Sequence, residues 1–108
     1  MARKFAALGD PTRLSIVERL AAGPRTVTEL AEPSAMRLTS FMQHLRLLEA
    51  SGIIVSSKAG RVRTCRLEAA ALADVEDWIN QRRTGWIASL DRLGSYLDSA
   101  AAPEGSTE

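Results

Sequence analysis

Between Leu38 and Leu67 the chain reads LTSFMQHLRLLEASGIIVSSKAGRVRTCRL. It starts with apolar residues at helical spacing, meets Gly52, and continues as two β-prone runs, IIVSSK and RVRTCRL, joined across Ala59-Gly60. A helical pattern and a strand pattern do not interconvert, so the stretch predicts a helix, a glycine stop and then a hairpin. Lys58, Arg61 and Arg63 cluster at the hairpin tip. A helix followed by a basic strand pair has a simple common cause if both elements touch one nucleic acid.

The segment upstream is cut into short helices by its own punctuation. FAAL, Phe5 to Leu8, is a short apolar helix candidate ending at Gly9. In GDPTRLSIVERLAAGP, Asp10 is placed to cap a helix, Pro11 to occupy its first position and Gly23-Pro24 to stop it. Leu14, Val17 and Ala21 recur at helical spacing with Ile16 and Leu20 beside them, which predicts one buried face. TVTE, Thr26 to Glu29, is a capping box. The helix it opens must be short, because Pro33 has no N–H and its ring clashes one turn back. PSAMR makes a turn, and a third helix runs from about Leu38 to Ala50. The predicted fold class is mainly α with a small β-hairpin, a winged helix-turn-helix.

From Ala69 the helical period returns. Leu72, Val75, Ile79, Trp86, Leu90, Leu93 and Leu97 step by three or four, with one gap near Arg82-Arg83. That predicts a helix over about 69–98, with a kink expected at Thr84-Gly85. The tail AAPEGSTE has no apolar anchor, so residues 101–108 are expected to be disordered. Residues 1–100 are read as one domain, which suits a chain of 108 residues.

Net charge is only +1, but its distribution is uneven. Residues 1–66 hold eleven basic against five acidic side chains, a net of +6; residues 67–108 hold three against eight, a net of −5. A basic front and an acidic rear suit a polyanion-binding half joined to something else. On the third helix, steps of about 100° place Leu38, Phe41, Leu45 and Leu48 on one side, which is expected to face the core. Thr39, Gln43 and Arg46 fall opposite, with Ser40 at the edge, while Leu47 falls on the polar side and is expected to pack against the hairpin. Gln suits adenine, Arg suits guanine or phosphate, and Ser and Thr suit phosphate or base edges. Arg37 stands where a helix N-terminus favours phosphate. The candidate DNA-binding residues are therefore Arg37, Thr39, Ser40, Gln43, His44, Arg46, Lys58, Arg61 and Arg63, with His44 at the flank in either a phosphate-donating or a helix-orienting role.

The segments FAALGDPTRLSIVERLAAGP, TVTELAE, MQHLRLLEASGII and AGRVRTCRL resemble the ArsR/SmtB family of small winged-helix transcriptional repressors, over roughly residues 5–67. DPTR before the first long helix and QHL within the recognition helix carry the specificity of the match. The C-terminal DWINQRRTGWIASLDRLGSYL looks like a metal-independent branch of that family. The resemblance implies a homodimer whose first and last helices pair across a two-fold axis, with Phe5, Leu72, Val75, Ile79, Trp86, Leu90, Leu93 and Leu97 at the interface. It also implies a repressor that binds a pseudo-palindromic operator in double-stranded DNA. The apolar spine of the last helix, with Trp78, Trp86 and Tyr96 near it, agrees independently, since it carries more apolar surface than a monomer should expose. The alternative is that this helix folds back on its own core. Two departures stand out. Arg37 sits where the family often has a Ser or Thr cap. TVTELAEP also lacks the paired cysteines of the family's metal sensors, and ADVEDWINQRR carries carboxylates but no His.

Other sites weigh less. His44 is the only histidine, and one His without a second strong ligand makes a poor metal site. Asp74, Glu76 and Asp77 read as a solvated acidic face. Cys65, the single cysteine, alternates with Leu67 toward the core and reads as structural, not as a redox or ligand switch. No nucleophile–base pair or phosphate loop is present, so no enzyme, cofactor or metal site is expected. No apolar run approaches the roughly 18 residues that span a bilayer, and a cytoplasmic protein is expected. Two rivals remain: a repressor responding to nickel or another hard or borderline metal, and a winged-helix protein-interaction module that has lost DNA binding. An inducer, small molecule or ion, is left open.

Overall fold

The sequence's punctuation becomes hydrogen bonds. The computed structural model describes the backbone of residues 1–106 and the side chains of residues 1–100. Helix α1 spans Ala2–Leu8, starting earlier than FAAL alone suggests. Helix α2 spans Pro11–Leu20, and the Asp10 carboxylate caps it by accepting from the backbone N–H groups of Thr12 (2.9 Å) and Arg13 (3.1 Å). Helix α3 is a short Val27–Ala31, opened by a complete capping box. Thr26 Oγ1 accepts from the Glu29 N–H at 3.1 Å, and Glu29 Oε1 accepts from the Thr26 N–H at 3.1 Å. Helix α4 spans Leu38–Ala50. Gly52, at φ +79, follows it in the left-handed region where a side chain is strained, and the chain turns from helix to sheet there.

The hairpin is β2 (Ile54–Ala59) and β3 (Val62–Leu67), antiparallel from Ile54↔Leu67 to Ala59↔Val62. That register makes the loop Gly60-Arg61, one residue later than expected. Gly60 has φ +62 and no non-glycine residue among those described has positive φ, the sign pattern of a II′ turn. A strand invisible in the sequence joins them: β1, Arg25–Thr26, pairs with Cys65 and Thr64, so the sheet order is β1-β3-β2.

The chain divides into two compact units, Met1–Val75 and Glu76 onward. In the first, helices α1 to α4 and the sheet close on a core of Ala7, Ile16, Leu20, Leu30, Phe41, Leu45, Leu48, Ile53, Ile54 and Cys65. Phe41, Leu45 and Leu48 lie inside as their spacing requires, but Leu38 is 62% exposed. It sits in the first turn of α4, where the helix extends past its packing partners. Leu14 and Ala21 are likewise exposed, and the inward face of α2 is Ile16 and Leu20 with Val17 half-buried. Leu47 lies beside α1, near Arg3, Ala6 and Ala7, and not against the hairpin.

Helix α5 has the bounds Ala69–Ser106, and its helical hydrogen-bonding is unbroken through Thr84-Gly85, where a kink is expected from the sequence. Nothing within 4 Å crowds Gly85, and helical neighbours on both sides carry the backbone through it. In the second unit Ile79, Trp86, Ile87, Leu90, Leu93, Tyr96 and Leu97 are exposed. Arg82 and Arg83 fill the gap in the apolar stripe by turning onto their own helix. Arg82 lies 4.4 Å over the Trp78 ring, and Arg83 donates to Asn80 Oδ1 at 2.8 Å. The helix runs on to Ser106, into the tail expected to be disordered, while the side chains of residues 101–108 and the backbone of residues 107–108 lie outside the described part. No described helix is long and apolar enough to cross a membrane.

Candidate nucleic-acid interface

Helix α4 presents its polar side outward because its apolar side is fixed inward. Thr39, Ser40, Gln43 and Arg46 are all exposed, and Leu38 stands exposed beside them. Arg46 Nη2 lies 3.4 Å from Gln43 Oε1, a weak contact that leaves both side chains free to reorient. Arg37 is the N-cap of α4, with extended backbone (φ −62, ψ 146) and no side-chain cap bond. The first N–H groups of α4 therefore lack the capping oxygen that a Ser or Thr would supply, and they point to where an anion can bind. Ser34 acts one step earlier, its Oγ accepting from the Met36 N–H at 3.1 Å within the turn.

The wing stands beside this helix. Thr26, Val27, Thr28, Met42, Lys58, Arg61, Val62 and Arg63 line one recess of about 470 Å³. It brings together the start of α3, the flank of α4 and all three predicted wing cations. Two side-chain bonds set the angle between wing and helix. Ser56 Oγ on β2 donates to Glu49 Oε1 on α4 at 2.7 Å, and Arg63 Nη1 donates to Ser56 Oγ at 2.9 Å. Among the described residues Lys58 and Arg61 are thus the wing's unengaged charges, whereas Arg63 is partly committed to holding the wing in place. Ser56 and Glu49 were missed from sequence, since a hydroxyl and a carboxylate seven positions apart carry no signal until the hairpin register is known.

His44 faces inward. Its Nδ1 lies 3.1 Å from Arg13 Nη1 and 3.7 Å from Asp10 Oδ2. Arginine has only donors, so the shorter contact requires Nδ1 to accept and places the ring proton on Nε2. The longer one exceeds hydrogen-bond range and becomes an ion pair only on a protonated ring. Arg13 also donates through Nε to Ala7 O (2.7 Å) and through Nη2 to Ala6 O (3.2 Å). One guanidinium therefore joins α1, α2 and α4, and it is the Arg of DPTR meeting the His of QHL. Asp10 is held below the usual carboxylate range, first by the Arg13 backbone N–H, against some desolvation, with the Arg13 charge and the Thr12 backbone N–H adding to it, and His44 adding to it when protonated. On the wing side, Cys65 lies fully buried in β3; burial first, and Glu49 second, push its thiol above the ordinary value. Among the described residues no group of three or more His, Cys, Asp or Glu side chains comes together to hold a metal ion.

A short helix, a turn, an outward polar helix and a basic hairpin beside it define a winged helix-turn-helix DNA-binding protein. Residues 8–56 match a family described as a helix-turn-helix domain. The chain is 34% identical over 96 residues to the HTH-type transcriptional regulator Rv2034 of Mycobacterium tuberculosis, covering 85% of this chain and 90% of that protein. It is 47% identical to the crystal structure of an ArsR family transcriptional regulator, RHA00566, with a TM-score of 0.75, covering 79% of this chain and 88% of that one. A 26% identical neighbour, the solution structure of the homodimeric winged helix-turn-helix DNA-binding domain Mb0332 from Mycobacterium bovis, superposes with a TM-score of 0.62 over 80% of each chain. The chain belongs to the ArsR family of transcriptional regulators.

Proposed function

We propose that this regulator acts in the cytoplasm as a homodimeric repressor, seated on a pseudo-palindromic operator so as to exclude polymerase. The observation that carries the reading is the exposed polar face of α4 lying beside a basic wing across a single groove. Gln43 and Arg46 read base edges in the major groove, and Thr39 and Ser40 take phosphate or base edges. Leu38, exposed in the first turn, is suited to a thymine methyl. Arg37 and the open N–H groups of α4 hold a phosphate, Lys58 and Arg61 hold the neighbouring backbone, and Arg63 adds charge while it braces Ser56. His44 orients α4 through Arg13, with Nε2–H left to donate outward. Residues 1–100 form the working domain, and residues 69–98 of α5 supply the dimer contacts. Two recognition helices then enter successive major grooves about 34 Å apart.

The test is selection of bound sequences from random duplex DNA, followed by footprinting. A palindromic consensus with half-sites one helical turn apart is expected. Gln43→Ala or Arg46→Ala should cost about 1–3 kcal/mol and relax preference at particular base pairs. Lys58→Ala or Arg61→Ala should weaken all sequences alike and flatten the salt dependence. Equal losses on selected and random DNA for all four variants would remove the base-reading assignment.

A further inference from the structure

A second recess, of about 440 Å³, lies between α1, Arg13 and the C-terminal end of α4, where Ser51 closes it. Its walls are Ala6, Ala7, Leu47 and Ala50, and its two charged groups are Arg3 and Arg13, with no carboxylate among the lining residues. Leu47 is 42% exposed here, a large apolar side chain outside the core. Arg3 makes no hydrogen bond or ion pair among the described residues. Arg13 spends three of its five N–H donors on Ala7 O, Ala6 O and His44 Nδ1, which leaves two for a ligand. Apolar walls under two guanidinium groups fit an organic anion with a hydrophobic body, and a carboxylate meets a guanidinium in a matched, charge-assisted pair.

We propose that this recess is an effector site for a small aromatic or aliphatic carboxylate, held by Arg3 and Arg13 with its body on Leu47 and Ala50. The same arginine ties α1 to His44 on the recognition helix. A carboxylate that takes the two spare N–H groups draws the Arg13 guanidinium toward the recess, lengthens the Nη1–His44 bond, frees the imidazole toward Asp10 and loosens the seat of α4. Occupation of the recess therefore lowers operator affinity. This coupling rests on the DNA-binding reading above; the binding site itself does not.

The probe is 2-naphthoate, with acetate and the neutral 2-naphthylmethanol as controls, titrated into the full chain and followed by amide NMR shifts without DNA. Saturable shifts centred on Arg3, Leu47, Ala50 and Ser51 are expected, with the alcohol at least tenfold weaker and acetate silent. Arg3→Ala should weaken binding about tenfold. Ala50→Phe, at an exposed helical position, should abolish it by filling the recess while leaving the melting curve intact. No saturable shifts into the millimolar range, shifts confined to the exposed stripe of α5, or affinity indifferent to both variants would overturn the site. So would burial of the Leu47 and Ala50 amides by a second copy, seen as protection from exchange that vanishes on dissociation. In a separate anisotropy titration on a selected duplex, saturating 2-naphthoate should reduce affinity at least tenfold, about 1.4 kcal/mol of coupling. Binding of 2-naphthoate with unchanged DNA affinity overturns the coupling alone. A protein that binds no duplex overturns the DNA reading and leaves the recess to be judged by the NMR result.

Discussion

Phe41 in α4 is 2% exposed, and Trp86 in α5 is 65% exposed. Both are large aromatics on helices with a clear apolar side, yet the first unit encloses its residue and the second leaves its own in solvent. The difference lies in neighbours. Up to Val75 the helices are short, each ended by Pro, Gly or a cap, so the chain reverses often enough to supply several elements around one core. From Glu76 on there is one helix, and a single helix has no second layer on which to bury its stripe. Tyr96, at 70% exposure, and Leu97 continue the exposure to the end of the described side chains. One region buries its aromatic within its own unit; the other leaves an apolar stripe exposed, the stripe that the proposed dimer would cover.

The sharpest way to break that contrast is to charge the stripe. Leu90→Asp with Leu93→Asp should leave helical content and the first unit's fold intact while converting dimer to monomer in sedimentation at micromolar concentration. Operator binding should fall sharply, since two linked half-sites become two independent ones. A wild-type chain that sediments at 11.7 kDa and binds DNA at full strength would erase the distinction between the two regions. The next largest effect belongs to the enclosed residue. Phe41→Ala should cost about 3–5 kcal/mol of unfolding free energy. Trp86→Ala should cost little in the monomeric variant and act in wild type as a concentration-dependent loss of melting temperature.

The same contrast explains what was legible in the sequence. Local chemistry was readable: Asp10 caps α2, Thr26 and Glu29 box α3, and α4 runs over the expected Leu38–Ala50. Each of these signals lies within a few residues of its effect. Strand β1 was not readable, because a two-residue strand has no period and exists only through pairing with Cys65 and Thr64. The Arg13–His44 contact spans 31 positions and needed the packing of α2 on α4 to appear. Leu38 was misplaced because a helical wheel reports direction and not depth: the first turn points toward the core side but extends beyond it. Of the candidate interface, the exposed face of α4 and the wing cations were foreseen, whereas the brace of Glu49, Ser56 and Arg63 was not.

That brace supports a smaller prediction within the enclosed unit. Ser56→Ala removes the bridge between α4 and the wing, and should cost about 1 kcal/mol of stability and weaken specific and random DNA together, because Lys58 and Arg61 lose their fixed position. Ser56→Thr, which keeps the hydroxyl, should restore most of the affinity; failure to do so would assign the loss to packing at β2. Acid acts more gently on the same unit. Asp10 and Glu29 are both held below their ordinary range, Asp10 first by the Arg13 backbone N–H and Glu29 first by that of Thr26. Carboxylates depressed on folding add stability that is fully present above their unfolded pKa and lost as pH falls through the folded value. Melting temperature should hold from neutrality to about pH 5 and decline below about pH 4, and Asp10→Asn should flatten that decline.

The smallest expected effect concerns metals, and it returns to the enclosed side of the contrast. A thiol sensor needs a thiolate that is accessible and has partners. Cys65 has neither: it is fully buried in the middle of the sheet, between Ser56 on β2 and Arg25 on β1, and burial raises its pKa so that the thiol keeps its proton. One sulfur cannot complete a coordination shell for zinc, cadmium or arsenic. His44, an imidazole, has Nδ1 occupied by Arg13 and stands in no group of three or more candidate ligands among the described residues. Arsenite, zinc or cadmium at low micromolar levels should therefore leave operator affinity within about twofold, which is less than 0.5 kcal/mol. Cys65→Ala should bind DNA like wild type, and it is a cleaner probe than Cys65→Ser, whose hydroxyl would enter the core without a partner and lower stability on its own. The measurement is an anisotropy titration with each metal and with chelator. A tenfold loss of affinity that disappears in Cys65→Ala or in His44→Ala would mean that the closed core opens to ligands, and that the enclosed unit is less closed than Phe41 and Cys65 make it.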